Sequence, residues 1–101
     1  MVNTPKKIIW SSSARAQLKQ IHDFIKNDSV QAAEKVTKDI VAATRQLETQ
    51  PTRYPLDKHR LKNDGTFRAL ILHRYMISYQ VTEEYIIIVR VKHASMNDLE
   101  F

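Results

Sequence analysis

A chain of 101 residues leaves room for one hydrophobic core, so a single domain over residues 1–101 is expected. The single Gly and 43% hydrophobic content argue against long low-complexity segments, and the lack of Cys excludes a disulfide framework and thiolate chemistry. A net charge of +5, from 16 Lys and Arg against 11 Asp and Glu, favours an acidic partner such as nucleic acid or an acidic protein. The opening "MVNTPKKIIW" has no apolar stretch of a signal peptide, and no apolar run approaches a membrane span, so a cytoplasmic location is expected.

Lys6 to Trp10 ("KKIIW") is a β-rich run entered through Pro5 and is predicted as the first strand. The period then changes. Ala14, Leu18, Ile21 and Ile25 recur at helical spacing, and Ser11 to Ser13 offer hydroxyls for the N-cap. After Asn27-Asp28-Ser29, too short for anything but a tight reversal, Ala33, Val36, Ile40, Ala43 and Leu47 mark a second helix. Asp28 and Gln31 suit a capping box at its start, and Pro51 marks its stop. The short link makes the two helices antiparallel neighbours.

From Pro51 to Thr66 periodicity disappears. "PTRYPLDKHRLKNDGT" reads as a basic surface loop with a turn at Asn63-Asp64-Gly65. Lys58, Arg60 and Lys62 in it are candidates for binding phosphates or a protein target, and ordinary solvated cations are the plainer reading. Three strands follow: Phe67 to Leu72, Tyr75 to Val81 and Tyr85 to Val91, the last two joined at Thr82-Glu83-Glu84. The last is apolar on both faces, which predicts a central position. The expected fold is α+β in the order β-α-α-β-β-β, with the helical hairpin on one side of a mostly antiparallel four-stranded sheet.

The stretches "IIWSSSARAQLKQIHDFI", "LETQPTRYP", "FRALILHRYMISYQV" and "IIIVRVKHAS" together resemble the RelE/ParE superfamily of bacterial toxins from type II toxin–antitoxin modules, nearly end to end. The resemblance implies a cognate antitoxin as partner, operator DNA reached only through it, and one of two actions. RelE-like members cut messenger RNA on the ribosome without a metal, using an acid, a base and phosphate-binding cations. ParE-like members poison DNA gyrase by binding it.

Met76 is the informative departure. RelE-like strands of the form "Y.I.Y.V" commonly carry an arginine after the first tyrosine, where this chain reads Tyr75-Met76-Ile77. Loss of one positioned cation costs roughly a hundred- to a thousandfold in rate. By strand alternation Arg74 shares the face of Met76 and is the obvious substitute. If the chain is a nuclease, His93, Arg68 and Arg90 are the catalytic candidates; His93 is more simply read as a strand-end or binding residue, and Arg68 equally as the ion-pair partner of an acid such as Asp23 or Glu84. For binding target, antitoxin or phosphate the candidates are Arg68, Arg74, Arg90, Lys92, Lys58, Arg60 and Lys62, with Arg90 and Lys92 forming a positive patch beside Arg68 or Arg74. Tyr75, Tyr79 and Trp10 can stack on bases or fill the core. His22, His59, His73 and His93 have no ligand-spaced partners, so neither metal nor cofactor is expected. The preferred reading is a ParE-like toxin that arrests growth by binding, with an mRNA endonuclease and a decayed module that only binds its antitoxin as alternatives.

Overall fold

The structure is a computed structural model, described here for residues 5–94. β1 (Lys7–Trp10) leads into α1 (Ser12–Lys26), α2 (Val30–Arg45) and a short 3-10 turn at Gln46–Glu48. After the loop come β2 (Phe67–Leu72), β3 (Tyr75–Val81) and β4 (Tyr85–His93). The strands lie in the order β1-β4-β3-β2. β1 runs parallel to β4 while the other pairs are antiparallel. This is the α+β arrangement expected, with β4 central and two residues longer than its apolar run.

Register decides which side chains meet the helices, because directly paired residues share a face. Ile8, Trp10, Ile86, Ile88, Val91, Ile77, Tyr79, Leu70 and Leu72 face the helical hairpin. There they pack with Ala14, Ile21, Ile40 and Leu47. Ile9, Ile87, Arg90, Lys92, Met76, Ser78, Ala69 and Ile71 occupy the opposite, open face. Ile71 is 67% exposed there.

Both helix starts are capped by serine. Ser11 Oγ accepts from Ala14 N at 3.0 Å. The second cap differs from the expected Asp28–Gln31 box: Ser29 holds the extended backbone of a cap, and its Oγ accepts from Ala32 N at 3.1 Å. Asp28 lies one residue too early, inside the reversal, where its N–H donates to Ile25 O. Ser29→Ala should therefore cost about 1 kcal/mol and Asp28→Ala only a few tenths, as read by urea denaturation.

Two irregularities shape the far end of the sheet. Between Ser78 and Tyr79 the register with β4 shifts by one, leaving Val89 as the extra residue of a bulge. The Val91 N–H beyond it donates to Gln17 Oε1 of α1 at 2.8 Å, so a helix side chain completes the interrupted ladder. β2 and β3 are joined by His73 and Arg74, with φ of 53° and 68°. Both are left-handed, as a two-residue hairpin turn with the sheet's natural twist requires. His73 Nε2 lies 2.7 Å from Asp39 Oδ2, which ties this turn to α2.

Candidate functional site

The candidate cations divide among four places. Arg90 and Lys92 stand two residues apart on the open face, paired with Ser78 and Met76, so the sheet does bring these two together. Both are half-buried, and Met76 between them and Ile71 is only 5% exposed. The thioether thus packs into the sheet surface.

Arg68 is elsewhere. It pairs with Tyr79, which puts it on the helix side, and its Nη1 donates to Tyr54 O at 2.7 Å. Neither Asp23 nor Glu84 forms an ion pair with it, and Asp23 lies instead 3.6 Å from His22. The expected patch of Arg68 with Arg90 and Lys92 is therefore split across the sheet, because residue 68 and residue 90 fall on opposite phases of the pleat. Arg74 also departs from expectation. It sits in the hairpin turn with positive φ, so strand alternation does not direct its side chain toward Met76.

His93 closes β4 on the helix side, paired with Tyr75, and the two rings meet edge to face with centroids 5.4 Å apart. The Arg74 carbonyl accepts from Ala94 N at 2.7 Å, which places the turn and the end of β4 side by side. Along the strands, Arg68 and His93 are separated by the four-residue step from Tyr79 to Tyr75, roughly 13 Å. His93, Arg68 and Arg90 do not surround one point.

The aromatic candidates are internal. Tyr79 is fully buried and donates from its hydroxyl to Pro51 O at 3.2 Å. Burial pushes its phenol up to about 12. Trp10 and Tyr75 are half-buried against the core.

The histidines have more company than their spacing suggested. His22 lies 3.6 Å from both Asp23 and Glu34, and His73 contacts Asp39, whose carboxyl is held below its usual range by the hydrogen bond from His73 and then by Lys35. Among the described residues no three His, Asp or Glu side chains converge as a metal site would require. A concavity of about 960 Å³ runs along α2, lined by Lys35, Lys38, Asp39 and Arg45 among others, and none of His93, Arg68 or Arg90 borders it.

The basic loop holds the feature that sequence reasoning missed. Asp57 is 2% exposed; its Oδ2 accepts from Ser78 Oγ at 3.0 Å and its Oδ1 from His59 N at 2.9 Å. Backbone bonds from Asp57 N to Phe67 O and from Ala69 N to Pro55 O lay the loop along the outer edge of β2. Asn63 Nδ2 donates to Asp57 O and Phe67 O, while its Oδ1 accepts from Gly65 N. The predicted turn is there, with Gly65 at φ 94°. An acceptor side chain bonding the N–H two residues on recurs at Asp57, Asn63 and Asp64. That spacing of Asp and Asn was the available signal. Arg60 stacks on the Phe67 ring at 3.4 Å, whereas Lys58, Leu61 and Lys62 are exposed.

Among the described residues no helix is long and apolar enough to cross a membrane. No curated protein matches the chain. The structure is similar to a chain of the chromosomal ParDE toxin–antitoxin system from P. aeruginosa, with a TM-score of 0.73 and 21% identity over 93% of this chain and 100% of that one, a likeness of fold. The solution structure of the conserved hypothetical protein HP0894 from Helicobacter pylori aligns at a TM-score of 0.40 and 20% identity, over 89% of this chain and 96% of that one. The model of the ParE toxin of type II toxin–antitoxin systems, parDE, matches residues 8–98, from β1 through the bulged β4 and beyond. A match of that extent, on the strand order and helical hairpin described above, makes this chain a member of the ParE toxin family of type II toxin–antitoxin systems.

Proposed function

We propose that this ParE-family toxin arrests growth by binding a cellular protein, with DNA gyrase as the target the family resemblance suggests, and that a cognate antitoxin neutralises it. The observation that carries the reading is the division of the nuclease candidates. Arg68 and His93 lie on the helix side and Arg90 on the open face, while the position beside Tyr75 holds a buried thioether. Cleavage of a phosphodiester needs an acid or base within about 3 Å of the proton it moves and cations on the same phosphate. Side chains on opposite faces of one sheet do not meet that requirement. Binding has no such constraint, since charged and apolar groups spread over a surface each contribute to recognition.

The test is expression without antitoxin, followed by mapping of mRNA ends and a gyrase supercoiling assay. The expected result is lost supercoiling with intact messages. Codon-phased cuts that His93→Ala abolishes would overturn it in favour of the endonuclease, and normal growth would leave a module that only binds its antitoxin.

A further inference from the structure

We propose that the loop before β2 is the docking element of this toxin: Leu61 enters an apolar pocket on an acidic protein surface, and Lys58 and Lys62 meet carboxylates around that pocket. This rests on the reading that the chain acts by binding a protein.

The loop is ordered by its own chemistry. The Asp57 carboxylate, buried beneath it, is bonded to Ser78 of β3, and Asn63 binds both Asp57 and Phe67. Asp64 accepts from Thr66 N, and Gln80 of β3 reaches Thr66 Oγ1 at 3.3 Å. A surface held this way loses little conformational freedom on binding, so more of each contact appears as affinity.

Its outer surface is positive and tipped with an apolar group. "KHRLK", residues 58–62, contains no carboxylate, and the acid immediately before it is buried, while Asp64, two residues after it, is exposed and accepts from Thr66 N. Leu61 is 59% exposed, and the chain reverses directly after it through Lys62, whose φ of 55° is the left-handed region. A single exposed leucine is common on any surface. Here it is presented on a fixed turn between two exposed ammonium groups, the layout of an apolar anchor with a charged rim.

The same stretch has cations for phosphates but is a poor platform for stacking bases. Bases bind single-strand platforms by stacking on open aromatic faces, and here the Arg60 guanidinium lies over one face of Phe67 while His59 is half-buried. Leucine offers a base neither a planar surface nor a hydrogen bond.

The experiment compares the full chain with Leu61→Ser and with Lys58→Ser/Lys62→Asn, asparagine being chosen because it tolerates positive φ. Each is scored for growth arrest without antitoxin, for binding to purified gyrase at low and high salt, and for binding to a single-stranded RNA. Unchanged unfolding midpoints show that the fold is kept. Leu61→Ser is expected to weaken gyrase binding roughly tenfold or more at both salt concentrations. The double variant is expected to bind more slowly and with a shallower salt dependence. Arrest should fade in both. Arrest by both variants as strong as by the unsubstituted chain overturns the loop assignment and leaves the binding reading intact if supercoiling is still inhibited. Loss of arrest in the variants when the unsubstituted chain ignores gyrase supports the loop and removes gyrase as the target. RNA binding that the double variant loses and Leu61→Ser keeps makes the loop a nucleic-acid surface and overturns the proposal, while no arrest by the unsubstituted chain overturns both.

Discussion

Replacing Asp57 by Ala is expected to lower stability by about 2–4 kcal/mol, one of the largest effects available outside the apolar core. The substitution removes the acceptor for Ser78 Oγ and for His59 N. Ser78 is completely buried, so its hydroxyl has no water to turn to, and an orphaned buried polar group costs about 1–3 kcal/mol. A domain of this size has roughly 5–15 kcal/mol in total, and the melting temperature should fall by roughly 10 °C or more. Ser78→Ala alone should cost less, and the double variant less than the sum, because the two side chains satisfy each other. Calorimetry of the three variants checks this. A drop below about 1 kcal/mol for Asp57→Ala would mean that the loop is not anchored through this carboxylate.

Met76→Arg is expected to cost about 3 kcal/mol and to produce no codon-phased mRNA cleavage. The position is 5% exposed and directly opposite Lys92, with Ile71 on its other side. A guanidinium there must either stay in a low-dielectric surface beside a like charge or displace the packing around it, and buried charges without compensation cost about 3–5 kcal/mol. Met76→Leu, close in volume, should stay within about 1.5 kcal/mol of the original. Catalysis should not appear, because Arg68 and His93 remain on the other side of the sheet. A variant as stable as the original that cuts messages on the ribosome would refute both the packing argument and the binding mode of action. Equilibrium denaturation and mRNA end mapping read the two halves of this prediction.

These two residues show how differently the parts of the chain could be read in advance. Met76 was visible as a departure because it interrupts a motif, and its consequence needed only the chemistry of a thioether against that of a cation. Asp57 gave no periodic signal, and its role depends on Ser78, 21 residues away, reached only because the loop folds along the edge of β2. The capping of α2 lies between these cases. Aspartate and serine are both good N-cap residues, and the choice of Ser29 over the expected Asp28 is made by where the reversal places the extended backbone.

Local chemistry determined the elements themselves. Apolar residues at helical spacing, alternation along the strands and the apolar run of β4 each express a face that must be buried, and the pattern that marks such a face is a property of nearby residues alone. The pairing of cations was a tertiary decision. A bulge at Val89, a two-residue turn at His73 and Arg74, and the register of β2 on β3 set the phase of each strand, and a one-residue change of phase moves a side chain to the other side of the sheet. That is why Arg90 and Lys92, which share a face by alternation along β4, are not joined by Arg68, which stands on β2 beyond the intervening β3 and on the opposite face.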